Sequence, residues 1–263
     1  MLASIMFPVV IVTVIGTISG VILSVASIIL AVPVDEKQEN VREVLPGANC
    51  GACGYAGCDS YAEAVAKGEA KVTLCIPGGV GVENQLAEIM GVEAGPFRRM
   101  AAFVKCNGGN GNASVKMNYG GIQTCTAANQ VFGGPNSCTY GCMGYGDCVR
   151  VCDYNAIHVI NDVSVVDSDK CVGCSRCVTE CPKGIISIIP ADDASVIVCS
   201  SHDRGPIVRK ACSVGCIACT KCVKVCPQNA ISMDNFVAVI DYEKCNGCGD
   251  CVSSCPQKCI SIL

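Results

Sequence analysis

Three stretches of this chain could each gather several thiolates at one point: CVGCSRCVTECP from Cys171 to Pro182, CIACTKCVKVCP from Cys216 to Pro227, and CNGCGDCVSSCP from Cys245 to Pro256. Each fits C-x2-C-x2-C-x3-C-P, a spacing that holds [4Fe–4S] cubanes. Three cysteines on a tight loop reach three iron corners of one cube. Where two clusters lie together, the fourth cysteine ligates the other cube. That cysteine is expected to start a helix, with the following Pro where its missing N–H costs nothing. The exchange gives specific ligand sets. One cluster takes Cys216, Cys219, Cys222 and Cys255, and its neighbour takes Cys226, Cys245, Cys248 and Cys251. A further cluster takes Cys152, Cys171, Cys174 and Cys177. Backbone N–H groups in such loops can donate to the sulfurs and tune the potential.

The neighbour of that last cluster rests on a run that departs from the pattern, CTYGCMGYGDCVRVC from Cys138 to Cys152. Tyr145 stands where Cys219 stands in the later run. Cys138 is expected to supply the missing ligand, giving Cys138, Cys142, Cys148 and Cys181 and leaving the matching Cys212 without that role. A separate set, Cys50, Cys53, Cys58 and Cys75, has the spacing C-x2-C-x4-C-x16-C. Two readings fit it: one cubane, with nearby glycines letting the backbone approach sulfide, or one structural zinc on four thiolates. These five sites leave Cys106, Cys125, Cys199, Cys212 and Cys259. Cys259 reads as a small buried residue. The repeated C-x12-C spacing of Cys125 with Cys138 and Cys199 with Cys212 leaves open a shared packing role or a sixth metal centre.

Composition narrows the rest. The chain has 263 residues, 25 of them cysteine, with no tryptophan. Its length allows about one to three domains. An odd number of cysteines at such short spacing argues against a disulfide scaffold, because a disulfide needs Cα atoms about 4.4–6.8 Å apart with facing Cβ atoms. A net charge of −4 excludes nucleic-acid binding through bulk positive charge. No Gly-rich phosphate loop opens a helix after a strand, and no nucleophile–base pair is evident, so neither a nucleotide site nor a catalytic residue is expected. His158 and His202 read as a strand-surface and a loop residue rather than ligands. Arg209, Lys210, Lys221 and Lys224 form a basic group beside one cluster, either a solvated face or a docking patch for an acidic redox protein. What remains is transfer of single electrons.

The elements that must position these thiolates begin with a stretch free of charge. No ionisable side chain occurs between Met1 and Val34, and the apolar run from Met6 to Val32 is long enough to cross a bilayer as one helix. A cleaved signal peptide would want a basic n-region and a shorter apolar core. Gly16 and Gly20 offer a small-xxx-small face to another helix. Lys37 and Arg42 follow the helix, which places the bulk of the chain in the cytoplasm. Beyond a polar connector with a short helix, DSYAEAVAKGEAK reads as a helix capped by Asp59 or Ser60, VENQLAEIMG as an amphipathic helix, and CNGGNGNAS as loop. The C-terminal half is a duplication: a shift of 74 residues maps Cys125 on Cys199, Cys138 on Cys212, Cys142 on Cys216, and so on to Cys181 on Cys255. AIHVINDVSVVDSDK and AISMDNFVAVIDYEK suit small hairpins. The expected class is α+β, made of small iron–sulfur modules. Residues 1–34 form a transmembrane helix, 35–105 an N-terminal [4Fe–4S] domain and 106–137 a Gly/Asn-rich connector. Residues 138–190 and 191–263 form two ferredoxin-like domains.

The order of these signals, GANCGACGYAGCDSYAEAVAKGEA, LCIPGG, CNGG, CMGYGDCVRVC and then tandem ferredoxin runs, resembles the B subunit of the Rnf complex over essentially the whole chain. The two full ferredoxin repeats look like the clostridial members. The resemblance implies that Cys50, Cys53, Cys58 and Cys75 hold an additional [4Fe–4S] cluster, making five. It implies a redox subunit of a translocase that couples ferredoxin:NAD+ oxidoreduction to Na+ or H+ transport. Such a subunit accepts electrons from soluble ferredoxin and passes them to the other subunits (A, C, D, E and G) at the inner membrane. A free membrane-anchored polyferredoxin serving another reductase, and a zinc scaffold without redox function, are the rival readings.

Overall fold

The structure is a computed structural model that describes residues 2–29, 35–95, 98–109, 111–192 and 195–263. Helix α1 spans Leu2–Ile29. Its stretch Val10–Ser27 has a mean hydropathy of 2.2 and is not buried among the described residues, and by length and composition it can cross a bilayer. The end of the apolar run, up to Val32, lies outside the described residues. Thr17 turns its hydroxyl back to the carbonyls of Thr13 and Val14, both at 2.9 Å, which satisfies it inside an apolar helix.

The N-terminal domain is three helices: α2 (Glu36–Val44), α3 (Cys58–Ala66) and α4 (Gly79–Met90). Val41, Tyr61, Val65 and Leu86 form its fully buried centre. Helix α2 starts at Asp35, whose carboxylate accepts from Lys37 N–H. Helix α3 begins earlier than the sequence suggests. Asn49 Oδ1 accepts from Cys58 N–H at 2.8 Å, so Asp59 does not cap the helix and instead pairs with Arg42 of α2 at 2.5 Å. A distant side chain thus supplies the cap that local spacing assigned to a neighbour.

Two modules of one design follow. The first comprises β1 (Met100–Val104), α5 (Cys125–Gln130), α6 (Asp147–Arg150), β2 (Ile157–Ile160), β3 (Val163–Val166), α7 (Arg176–Glu180) and β4 (Ile186–Pro190). The second comprises β5 (Ser195–Ile197), α8 (Gly205–Ala211), α9 (Lys221–Val225), β6 (Ile231–Asp234), β7 (Val237–Ile240), α10 (Asp250–Ser254) and β8 (Ile260–Ile262). In each, a hairpin (β2–β3 or β6–β7) sits beside an antiparallel pair that closes the module (β1–β4 or β5–β8). The expected hairpins are both present. β1, read by sequence as the end of the N-terminal domain, pairs instead with β4, with Ala102 opposite Ile188.

The fourth cysteine of each run does not start a helix as expected: α7, α9 and α10 end just before it, and a turn follows. The cause is the following proline, which drives its predecessor out of the helical region. Cys181, Cys226 and Cys255 are all extended, with ψ of 109°, 111° and 111°.

The structure also changes how the duplication aligns at its start. Lys105 N–H donates to the Ile185 carbonyl at 2.8 Å, and Val198 N–H donates to the Cys259 carbonyl at 2.9 Å. Cys106 and Cys199 each follow the corresponding strand, so Cys106, not Cys125, is the counterpart of Cys199. Cys125 lies within residues 107–137, a segment longer than its counterpart 200–211.

Candidate metal centres

The cysteine runs share one backbone device. Gly173 and Ser175, Ala218 and Thr220, and Gly247 and Gly249 flank the middle cysteine of their runs, and all six residues have positive φ. These paired left-handed residues turn each loop tightly around its middle cysteine. Non-glycine residues resist this conformation, so Ser175, Ala218 and Thr220 mark a geometry held by its surroundings. Gly173 also leaves no room for a side chain: a Cβ there would meet Ile76 Cγ2 at 2.7 Å. That close approach seats the N-terminal domain on the first module. The departed run has the same pair, Gly144 and Gly146, around Tyr145. Its backbone is the binding loop, and only the thiol is missing.

The sulfurs line separate cavities. One is lined by Cys152, Cys171, Cys174 and Cys177, as expected. Another is lined by Cys216, Cys219, Cys222 and Cys255, again as expected, with Cys259 at its wall. Cys226, Cys245 and Cys251 pack into one core, and Cys248 on the same loop is exposed. In the N-terminal domain, Cys53, Cys58 and Cys75 pack on one core, and the Cys75 thiol feels the charges of Cys50, Cys53 and Cys58.

At the departed run the cavity linings differ from the expected set. Cys125 lines the cavity of Cys142, Cys148 and Cys181, and Cys138 does not. Asp147 explains why. Buried at the start of α6, its carboxylate accepts from Cys125 N–H at 2.8 Å, and from Thr126 N–H and Oγ1 at 2.9 and 3.0 Å. Burial opposes its charge, yet these donors and Arg150 hold its pKa below the ordinary carboxylate value. The residue beside Cys148 thereby pins the inserted helix so that Cys125 faces the site. The sequence signal was available: Asp147 stands where the later run has Lys221. Cys138 lines a different cavity, with Cys106, Cys199 and Cys212.

Among the described residues, no three His, Cys, Asp or Glu side chains converge on a single-ion position. Zinc needs its thiolates about 2.3 Å from one point. A cubane spreads four thiolates over four irons, a wider ring around a cavity. The donor set fits such a group in a second way, because backbone N–H groups point at sulfur: Ala102 at Cys171 (3.3 Å), Ala156 at Cys152 (3.4 Å) and Ala230 at Cys226 (3.3 Å). Burial pushes the thiols of Cys177 to about 12 and of Cys148 and Cys222 to about 11. Iron must displace those protons, so assembly is favoured as pH rises. The Cys216 thiol is pushed down by its hydrogen bond with Cys259, whose own thiol is pushed up. His158 is exposed on β2 and His202 lies exposed in a loop, as expected.

Known families match the same segments. An Fe-S cluster model (FeS) matches residues 45–77, a 4Fe-4S binding domain residues 164–187, and a 4Fe-4S dicluster domain residues 215–259. The chain is 42% identical to the B subunit of the Na+-translocating ferredoxin:NAD+ oxidoreductase complex of Acetobacterium woodii, over 93% of this chain and 74% of that one. It is 40% identical to the proton-translocating counterpart of Clostridium ljungdahlii, over 90% and 84%. It is 37% identical to the B subunit of the ion-translocating oxidoreductase complex of Methanosarcina acetivorans, over 88% of each chain. The modules and their sites define a multi-centre iron–sulfur electron-transfer protein behind an N-terminal apolar helix. The chain belongs to the B-subunit family of the Rnf complexes, and is an iron–sulfur electron-transfer subunit of a ferredoxin:NAD+ oxidoreductase.

Proposed function

We propose that this subunit takes electrons from soluble reduced ferredoxin at its C-terminal module and delivers them toward the membrane through clusters held in series. One observation carries this reading: the cysteine groups stand next to one another in file. Cys174 lies within electrostatic reach of Cys50 and Cys177 of Cys148, so the first three sets adjoin, and Cys222 shares one core with Cys226, Cys245 and Cys251 in the C-terminal module. When bound, [4Fe–4S] clusters supply one-electron carriers whose potentials follow local hydrogen bonding and exposure.

The residues hold and shield these carriers. The sets are Cys50, Cys53, Cys58, Cys75; Cys152, Cys171, Cys174, Cys177; Cys125, Cys142, Cys148, Cys181; Cys216, Cys219, Cys222, Cys255; and Cys226, Cys245, Cys248, Cys251. Each ferredoxin run buries at least one cysteine (Cys148, Cys177, Cys216 with Cys222, and Cys251), which keeps water away from its site. Cys219 and Cys248 are exposed, which opens the C-terminal module to a soluble donor. Arg209 and Lys210 on α8 and Lys221 and Lys224 on α9 are exposed beside it and steer an acidic protein to that end. Helix α1 anchors the opposite end as a single pass, with the clusters on the cytoplasmic side of the cell membrane. The ion path and the NAD site belong to the other subunits (A, C, D, E and G), since α1 has no ionisable residue to mark a path. The relatives' names include both Na+ and H+ as coupling ion, so either serves here.

The test is to mix the anaerobically prepared full chain with reduced ferredoxin and follow the cluster absorbance by stopped flow. Rapid bleaching is expected. Bleaching by dithionite but not by ferredoxin overturns the proposed donor. Co-purification of the other subunits in mild detergent is expected, and consistent isolation of a lone chain would count against a complex.

A further inference from the structure

We propose that Cys106, Cys138, Cys199 and Cys212 together ligate a sixth [4Fe–4S] cluster at the junction of the two ferredoxin modules, each module giving two thiolates. The proposal rests on the cluster reading above and adds a site that reading does not use. All four residues line one cavity, and the five proposed sites claim none of them. The cavity is built by equivalent parts of the duplicated fold. Cys106 follows β1 as Cys199 follows β5, while Cys138 and Cys212 each stand four residues before the first cysteine of a run, Cys142 or Cys216. The backbone treats the two halves alike: Cys142 N–H points at Cys106 Sγ, and Cys216 N–H at Cys199 Sγ, both at 3.3 Å. Gly108 N–H adds a second donor to Cys106 at 3.4 Å. These are the same N–H to sulfur contacts that Cys152, Cys171 and Cys226 receive.

The space between the sulfurs is kept clear. A Cβ on Gly141 would lie 3.5 Å from Cys106 Sγ and 3.6 Å from Cys138 Sγ, so any longer side chain would project among the thiols. The walls are tied across the junction. Ser114 N–H donates to Ala211 O at 2.9 Å, Ser213 N–H to Asn112 O at 2.9 Å, and Ser200 Oγ to Lys105 O at 2.8 Å. A site fed from both modules fixes their relative placement, as metal ligation shared between segments does.

Position gives the site its role. Cys142 lines both this cavity and that of Cys125, Cys148 and Cys181, while Cys199 is bonded by the backbone of Cys216. The site therefore lies between the inner clusters of the two modules. A cluster held there would supply a one-electron carrier between the two modules, with no bond made and no proton moved. The count also closes: six sets of four leave only Cys259 of the 25 cysteines. Cys259 takes the buried place that Ile185 fills in the first module, at 3% and 2% exposure.

The experiment is native mass spectrometry with iron and acid-labile sulfide analysis on the full chain, assembled anaerobically in detergent. The wild type should carry six clusters, about 24 irons. Cys199→Ser with Cys212→Ser should carry five, as should Cys106→Ser, and Cys259→Ser should keep six. A wild type with five clusters, unchanged by the double substitution, overturns the sixth site and leaves the other five standing. Six clusters in the double variant, or zinc without acid-labile sulfide, overturns the assignment. If the variants fail to fold, the wild-type mass decides alone. A wild type with fewer than five clusters would overturn the five-site reading, and the sixth with it.

Discussion

In the second ferredoxin module Cys219 stands between Cys216 and Cys222 on one loop. In the first, Tyr145 holds that place and Cys125, in a segment the second module lacks, is the fourth cysteine lining the cavity. The loop backbone is common to both, with left-handed residues at Gly144 and Gly146 as at Ala218 and Thr220. What moved is the ligand and its support. Asp147, which holds the Cys125 helix, replaces Lys221, which is exposed and free to meet solvent or a partner. A binding loop can thus keep its shape while delegating one donor to an insertion, provided a buried acceptor fixes the insertion in place.

The largest expected effect tests that exchange directly. Cys125→Ser should remove one cluster, about four irons, and adding Tyr145→Cys should restore it by rebuilding the second module's arrangement in the first. An unchanged iron count in Cys125→Ser would end the comparison. Asp147→Ala should come next. It strips the acceptor from Cys125 and Thr126 N–H groups, which costs about 1–3 kcal/mol and speeds chelator-driven iron loss, whereas Lys221→Ala should shift stability by no more than about 0.5 kcal/mol. Equal effects would mean that Asp147 positions nothing.

The matched glycines sharpen the contrast. A Cβ on Gly215 would meet Val208 Cγ1 at 2.4 Å, while one on Gly141 would have Cys106 Sγ at 3.5 Å as its nearest neighbour. Gly215→Ala should therefore destabilise by about 1–3 kcal/mol through overpacking, seen as a lower Tm, and Gly141→Ala should be mild. The smallest effect concerns charge. Lys221→Glu with Lys224→Glu should slow reduction by ferredoxin about tenfold at low salt, and the difference should shrink as salt screens it. Lys71→Glu, exposed on the N-terminal domain, should leave that rate unchanged. A rate insensitive to the lysine pair would move the entry point elsewhere.

Much of this was legible in the chain itself because the signals are local. The three C-x2-C-x2-C-x3-C-P runs fix their sulfurs within a few residues, the two hairpins follow from alternating Val and Ile, and 28 consecutive apolar or small residues make α1. The alignment of Cys125 with Cys199 was misleading because equal spacing matched while strand pairing did not. The cap of α3 went to Asn49, nine residues away, for the same reason: a folded side chain competes with a nearer one.

Sequence alone therefore determined that this polypeptide wraps iron–sulfur cubes, how its loops turn to do so, and that it begins with an apolar helix. Only the tertiary structure decided that Cys125 shares a cavity with Cys142, Cys148 and Cys181, and that Cys106, Cys138, Cys199 and Cys212 line one cavity between the modules. The physical reason is the length of residues 107–137. Closing so long a loop costs little more at one place than another, so spacing cannot say where Cys125 and Cys138 come to rest. The buried carboxylate of Asp147 and the pairing of β1 with β4 choose for them.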